Sequence, residues 1–570
     1  MYRKNDKHYQ QSLFSSIDDL PAKQRQRLKA SWAQTFYEEV FCRIEEELFA
    51  VLYSEKASRP NTAINVLVGL EIMKSGFGWS DAELEEQLAF NVQVRYGLGY
   101  RNLAEGHLEL RTVYNFRQKL AQYMQASGEN LLERVFEQIT DEQIEVLALK
   151  TGKLRMDSVQ IGSNIRQMSR VQLLVEVLQR VWCMLSEVEQ QRYKAEFEPY
   201  LKGTSGQYVY HIKSGEGQSH LKEIGHLMQA LVDDLERLYA EKETYAVLAR
   251  VFSEHFIIEE QQLRPKQGKE LSAASLQSPD DWEATYRKKK GVEYKGYVTN
   301  VTETCEPEND LQLIVKVQTE ANITDDAQML ADVVPDLVQR TDVEEIHVDG
   351  AFGSPNVDEL LNAEEIELYQ TAIRGRKEED SQLSLSDFEV KLNAEKQPEQ
   401  IICPQGQQTE VKKGRQRERF KARFDSAICQ KCPLQDRCPT TKLNRFRSLY
   451  FNQQQLNVAG RRRNQKKASA SGRNLRSAVE ATVRSLKHPF GNGKLPVRGK
   501  IRVSMMMIAS AAMCNARRIW RYQTLQKTGE NAQKVVQNSF KQAVRGLVFT
   551  FLHPFSRLFA ARTHYLPVAA

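Results

Sequence analysis

Glu344–Pro355 reads EEIHVDGAFGSP, and the fold turns on how that stretch is taken. A short β-type run from Glu344 to Val348 ends in Asp349, and Gly350 and Gly353 then break the pattern ahead of a helical stretch. This places a carboxylate at the C-terminal edge of a strand, where α/β sheets hold ligands. A strand-terminal Asp also serves simply to cap the next helix, so its meaning depends on which other acids join it.

Two do. Asp157 lies in Lys153–Ile161, KLRMDSVQI, a second strand-like run with apolar neighbours. Glu480 lies in Arg473–Lys487, RNLRSAVEATVRSLK, a stretch without Pro or Gly that reads as helix. Arg476 and Glu480 are four apart and Lys487 is seven further on, so all three project from nearly one face. Three converging carboxylates raise one another's pKa and call for divalent cations. A site of that kind performs phosphoryl transfer.

These residues resemble the insertion-sequence transposases that have an RNase H-like catalytic core and an Asp, Asp, Glu triad. The match rests on MDSVQIGSN at Met156–Asn164, TYRKKKGVEYKGY at Thr285–Tyr297, VDGAFGS at Val348–Ser354, and Arg476, Glu480 and Lys487. The last three reproduce the Arg-x3-Glu-x6-Lys part of the family's Tyr-Arg-Glu-Lys signature; the Tyr position holds Arg473 instead. With gaps, the resemblance runs from about Arg59 to Trp520. It implies a DNA transposase that binds terminal inverted repeats, then cleaves and transfers strands using two Mg²⁺ (or Mn²⁺) ions held by Asp157, Asp349 and Glu480. It further implies Arg476 and Lys487 on phosphates near the scissile bond, with transposon-end and target DNA as partners of a homodimeric synaptic complex. Two alternatives stand on the same residues: a domesticated DNA-binding regulator that does not cut, and a structure-selective nuclease that cuts without joining.

At 570 residues the chain exceeds a single core and fits roughly three or four domains. Hydrophobic content of 41% and charged content of 27% are those of an ordinary soluble protein, and a net charge of +6 is only mildly basic. The longest apolar run, Val503–Ala512 (VSMMMIASAA), is short of the roughly 20 residues needed to span a bilayer and reads as a buried helix. The N-terminal MYRKNDKHYQ lacks the apolar segment of a secretory signal. The expectation is a cytoplasmic, nucleoid-associated protein with reduced thiols and no membrane partner. Cys42, Cys183, Cys305 and Cys514 are scattered and read as packing residues.

The expected architecture is an α/β RNase H-like catalytic core with an all-α N-terminal region, a helical insertion and a small Zn-type cysteine insertion. Residues 1–58 form an N-terminal helical segment, and 59–148 a helical DNA-end-binding domain. In the latter, Ser80 and Glu83 form a capping box after a glycine turn, in a helix-turn-helix-like arrangement. The core comprises 149–165 and 280–375, interrupted by a helical insertion at 166–279, and is completed by 461–528 with the Glu480 helix. A tail follows at 529–570. Element order in the core is strand, insertion, hairpin, helix, strand, helix, strand, insertion, helix.

The cysteine-bearing insertion at 376–460 holds Cys403, Cys429, Cys432 and Cys438. The C-x2-C pair is the usual knuckle for tetrahedral Zn²⁺, and the other two cysteines would complete a structural site knitting a loop of little apolar content. Four reduced surface thiols are the plain alternative. Three basic segments are candidates for the DNA backbone: Arg287–Lys290 with Lys288 and Lys289, Lys412–Arg423, and GRRRNQKK at Gly460–Lys467. The last carries Arg461, Arg462 and Arg463 toward Arg473. Solvated turns or a disordered tether are the competing readings.

Overall fold

The computed structural model describes residues 1–9, 15–54, 56, 60–289, 291–373, 381–393, 396–414, 419–470, 472 and 474–528. Its centre is a six-stranded mixed sheet. The strands are β1 (Lys153–Gly162), β2 (Thr285–Lys289), β3 (Val292–Thr304), β4 (Ile314–Ala321), β5 (Glu345–Val348) and β6 (Glu367–Gln370). β1 runs antiparallel to β3, with Asp157 opposite Val301, and parallel to β5, with Arg155 opposite His347. β4 lies antiparallel outside β3, and β6 lies parallel outside β5. The path is therefore β4-β3-β1-β5-β6, with β2 folded back on the first residues of β3. This mixed α/β order fits a general RNase H-like core. Helices Asp326–Arg340 and Pro355–Ala363 make the crossovers that parallel pairing requires.

The second half of β3 is buried on both faces, and it carries Thr299, Asn300, Thr302 and Glu303 into the interior. Polar groups survive there only when paired. Glu303 shows how: its Oε1 accepts from Arg155 Nε of β1 at 2.6 Å, and its Oε2 accepts from Thr482 Oγ1 at 2.7 Å and Arg518 Nη1 at 2.8 Å. Arg518 also donates to Thr482. One fully buried carboxylate thus joins two sheet strands to the Glu480 helix (Val479–Lys487) and to the last helix, residues 500–528.

That last helix is the Met-rich stretch, and Met505, Met506, Met507 and Met513 are buried as core packing. Against it lies helix Ile64–Phe77. Its sequence is largely apolar and it is buried all round, with Glu71 and Lys74 neutralised by Arg117 and Asp81. At Gly76 a Cβ would come within 2.3 Å of Met513 Cβ, so the two helices touch where a side chain is missing. Ser80 caps helix Asp81–Phe90 with the reciprocal Glu83 bond that the spacing predicts. Helix Leu131–Val146 is held to the sheet by Lys316, which pairs with Glu133 at 2.9 Å and Asp336 at 3.2 Å, and by Arg340–Asp141 at 2.7 Å. One continuous apolar cluster, from Phe36 and Leu67 through Phe136 to Tyr297, Val483 and Met507, runs through the N-terminal helices and the sheet alike.

The insertion after β1 contains six helices between Arg170 and His255 and a hairpin, Phe256–Glu259 with Gln262–Pro265, where the sequence suggested two long helices. It has its own core around Leu178, Phe197, Met228 and Val251.

The cysteine-bearing insertion differs more from expectation. It is a six-stranded antiparallel sheet: β7 (Glu389–Leu392), β8 (Pro398–Ile402), β9 (Gln408–Lys413), β10 (Arg419–Asp425), β11 (Thr441–Lys442) and β12 (Phe446–Asn452), in the order β11-β12-β10-β9-β8-β7. It packs Phe388, Ile401, Phe420, Phe424, Leu449 and Phe451 together, so it is not a loop dependent on metal alone for a core. The alternation was present in RFKARFD and FRSLYFN, masked by the intervening charges. The following helix, Gln453–Ala470, straddles the expected boundary at 460/461 and packs on β6. Among the described residues no helix is long and apolar enough to cross a membrane. The expected tail at 529–570 lies outside the described residues.

Removing a partner from a buried charge network leaves the remaining charges unpaired, at a cost of about 3–5 kcal/mol. Glu303→Ala strands both Arg155 and Arg518, so its denaturant midpoint is expected to fall by a corresponding amount. A loss below about 1 kcal/mol would show that the network is dispensable.

Candidate active site

The β1–β5 register ends at Arg155 opposite His347. Two residues beyond this last pair are Asp157, midway along β1, and Asp349, just past the end of β5, near enough that the charge of Asp349 acts on Asp157. Asp349 ends β5, and its Oδ1 accepts from the Ala351 amide at 2.7 Å, which turns the chain toward the Pro355–Ala363 helix. Ser354 caps that helix. Gly353 is small for a specific reason: a Cβ there would lie 1.9 Å from the Arg461 guanidinium and 2.6 Å from Gln370 Nε2.

The Glu480 helix lies across β1 and is fastened to it at both ends. Arg155 Nη1 donates to the Leu475 carbonyl at 3.0 Å, just before the helix, and Lys487 Nζ donates to the Gln160 carbonyl at 2.9 Å near its end. Between these clamps, Arg476 bridges two of the three acids, pairing with Asp157 Oδ2 at 3.0 Å and with Glu480 Oε1 at 3.2 Å. The first pair is secluded, with side chains only 14–15% exposed, whereas Glu480 is 62% exposed. The sequence reads one helix from Arg473 to Lys487, whereas Arg476 stands in the 3-10 turn Leu475–Ala478 and only Glu480 and Lys487 lie in the α-helix proper. The structure adds that Lys487 is spent on β1, where burial holds its ammonium below the usual lysine range.

Burial lifts the Asp157 carboxyl above its ordinary range; Arg476 pulls it down, and the charge of Asp349 pushes it up again. The site is short of positive charge for its acids, and the guanidinium of Arg476 stands where a cation is required. Carboxylate oxygens are the donors that Mg²⁺ and Mn²⁺ prefer, so the chemistry of the donor set fits. With the guanidinium between them, no group of three or more His, Cys, Asp or Glu is arranged to hold a metal among the described residues. Beside the acids, a hollow of about 280 Å³ is bounded by His347, Tyr369, Gln465, Asn474 and Arg476.

The four cysteines are brought together, lining one cavity of about 50 Å³ with Phe388, Phe424 and Leu434. Cys403 Sγ accepts from the Gln407 amide at 3.3 Å, Cys429 Sγ donates to Gln407 Oε1 at 3.5 Å, and Cys438 Sγ lies 3.3 Å from Thr440 Oγ1. Burial, with Cys438 adding, lifts the Cys429 thiol.

The basic candidates fare unevenly. Arg461 is turned inward, 3.2 Å from Asp358 and 3.2 Å from Gln370 Oε1, and Arg463 donates to the Phe388 carbonyl at 3.1 Å. Both fasten the Gln453–Ala470 helix to its neighbours, which corrects the reading of these two as a free DNA track; Arg462 is half-buried beside them. Lys288 and Lys289 are exposed on β2, Lys288 lying 3.8 Å from Glu293, while Arg287 is tied to the carbonyl of Asn322 at 3.2 Å. Arg473 and Lys290 lie outside the described residues. In the helix-turn-helix-like region, the second helix exposes Glu83, Glu85 and Glu86, an acidic face. Arg117 is bound to Glu71 at 2.7 Å and Asp81 at 2.8 Å.

Sequence reasoning missed Arg155, Glu303, Thr482 and Arg518, which position the Glu480 helix. Period-two alternation in KLRMD does put Arg155 on the Asp157 face; nothing local marks Glu303.

Two family matches agree with this geometry. Residues 402–520 match the family described as Transposase DDE domain, and residues 26–119 match the Transposase domain DUF772. Together they place the chain among the insertion-sequence DDE transposases. The first matched segment contains Arg476, Glu480, Lys487 and all four clustered cysteines but neither strand acid, since Asp157 and Asp349 precede it. A transposase function, with DNA as substrate, follows from this family. No curated protein and no solved structure matches the chain.

An acid whose pKa is raised by folding stabilises the fold only while protonated, and that contribution is lost as the pH rises through the folded value. In metal-free buffer at pH 7.5, Asp157→Asn is therefore expected to melt above wild type, with the gap closing as the pH falls toward about 4. Scanning fluorimetry across that range reads it; a variant that melts lower at pH 7.5 would mean that the Arg476 pair outweighs the burial.

Proposed function

We propose that the chain binds the terminal inverted repeats of a transposon and carries out metal-dependent strand cleavage and strand transfer at Asp157, Asp349 and Glu480. The observation that carries this reading is that Asp349 lies near enough for its charge to act on Asp157 while Arg476 bridges Asp157 to Glu480. In this reading the three acids hold two Mg²⁺ or Mn²⁺ ions, which supply Lewis-acid neutralisation at the phosphoryl group and its leaving 3′-oxygen. The chain's own residues do the rest. Arg155 and Lys487 fix the Glu480 helix against β1, so that the distance between the strand acids and the helix acid is set by main-chain hydrogen bonds. Arg476, which pairs with Asp157 and Glu480 in this structure, would take a phosphate oxygen of the DNA when divalent cations occupy the acids. The exposed Lys288 and Lys289 on β2 add backbone contacts. Hydrolysis and joining then use one site with water or a 3′-hydroxyl as the nucleophile, and two ends are brought together by a homodimer.

The N-terminal helices take part in end binding through surfaces other than the Glu83–Glu86 face, whose carboxylates repel phosphates. Cys403, Cys429, Cys432 and Cys438 would hold a structural Zn²⁺, which would tie β8 to the segment between β10 and β11.

The direct test is a labelled duplex carrying the flanking repeats, with Mg²⁺ or Mn²⁺ against EDTA. Asp157→Asn, Asp349→Asn and Glu480→Gln are each expected to lower cleavage by at least about 10³-fold while end binding stays within a few fold of wild type. Substantial cutting by any of the three removes that residue from the site. For the cysteines, protein purified with zinc is expected to contain one equivalent per chain by atomic emission, falling sharply in Cys403→Ser and Cys432→Ser. Zinc-free wild type with unchanged stability would leave four plain thiols.

A further inference from the structure

A second feature of the Glu480 helix lies on the flank turned away from β1. Between this flank and the last helix is an open cleft of about 660 Å³. Arg484 and His488 form one wall, and Arg517 and Arg521 the other. Each pair is spaced four residues apart, so on each wall the two side chains stand one turn, about 6 Å, from each other. Among the described residues, none of these four belongs to an ion pair. Deeper in the same cleft, Arg155 and Arg518 are neutralised by Glu303 at 2.6 and 2.8 Å, so the unpaired cations are those nearer the opening. Among the described residues, the only acid lining the cleft is Asp310, which is exposed.

Cations packed together without counter-charge repel one another, and burial adds to the cost. Arg517, stacked over Phe77 at 4.5 Å, is held below the usual arginine range by burial, with Arg521 adding to the effect. Ser510 Oγ, buried on the cleft wall, has no hydrogen-bond partner. Such an arrangement is relieved by a polyanion carrying repeated acceptor oxygens, not by a single small anion: the cations are spread over two walls and two helical turns. Its placement narrows the choice further. Glu480 and Arg484 are four apart and share a face, so a strand following the cleft is led directly to the carboxylates.

We propose that this cleft holds the sugar–phosphate backbone of DNA along the outer flank of the Glu480 helix, with Arg484, His488, Arg517 and Arg521 on its phosphates. The proposal deepens the transposase reading and rests on it for what the bound DNA then undergoes. The same phosphodiester chemistry has two sources, the flank of the transposon end and the target duplex, and the test separates them.

Full-length protein carrying Arg484→Ala with Arg521→Ala is compared with wild type and with the Arg484→Lys, Arg521→Lys pair. Binding to a repeat-free duplex and to a repeat-bearing duplex is measured by fluorescence anisotropy between 50 and 200 mM salt. Losing two phosphate contacts is expected to flatten the slope of log K against log salt by about 1.8 and to weaken binding at least about tenfold, with the lysine pair close to wild type. Loss on the repeat-free duplex, with joining reduced and nicking of bound ends retained, assigns the cleft to target DNA. Loss on the repeat-bearing duplex, with nicking reduced, assigns it to the transposon flank. Unchanged affinity and slope on both duplexes would overturn the proposal. Wild type that neither nicks nor joins, yet shows the slope change on substitution, would sink the transposase reading and leave the cleft standing.

Discussion

The buried carboxylate of Glu303 is the constraint from which the rest of the arrangement follows. It sits inside the sheet, bonded at once to Arg155 of β1, to Thr482 of the Glu480 helix and to Arg518 of the last helix. An unpaired charge at that depth is costly, so the three partners are held in place together or not at all. Arg155 then has a second nitrogen free for the Leu475 carbonyl, which sets where the helix begins. In this way a charge remote from the acids determines how far Glu480 stands from Asp157 and Asp349.

The same logic explains why the outer face of that helix is available for a different task. Thr482, Val483 and Leu486 are buried against the sheet and Lys487 reaches back to β1. Arg484 and His488 are thereby left to the far side, facing Arg517 and Arg521 of the last helix. One nine-residue helix therefore carries a carboxylate at Glu480 and, one turn further along the same face, the guanidinium of Arg484 at the mouth of the cleft. The N-terminal helices participate because Gly76 and Phe77 press against the last helix and shape the cleft from below.

The two inserted units have a common character. Each contains its own apolar cluster, and each interrupts the core where the sheet's connections pass through solvent. The cysteine-bearing unit meets the core through Arg461, which reaches Asp358 and Gln370 across Gly353. The glycines of VDGAFGS thus serve the strand acid's neighbourhood in a way that has nothing to do with loop flexibility: one of them makes room for a guanidinium from a helix more than a hundred residues later.

By itself, the sequence determined the order of core elements, a helix carrying Glu480 and Lys487, the Ser80–Glu83 cap and the buried Met helix. These are local properties, written in periodicity and in cap chemistry, and local energetics suffices to read them. The sequence also showed three acids, but not that β1 and β5 bring Asp349 close enough to act on Asp157, because strand register depends on pairing between segments nearly two hundred residues apart. Only the tertiary structure decided which cations are free. Arg461 and Arg463 look like a DNA track in a basic run and are instead consumed by Asp358, Gln370 and the Phe388 carbonyl, whereas Arg484 and Arg521 look unremarkable in sequence and meet across a cleft. A side chain's charge is fixed by its identity, but whether that charge is already compensated is a property of what the fold places beside it.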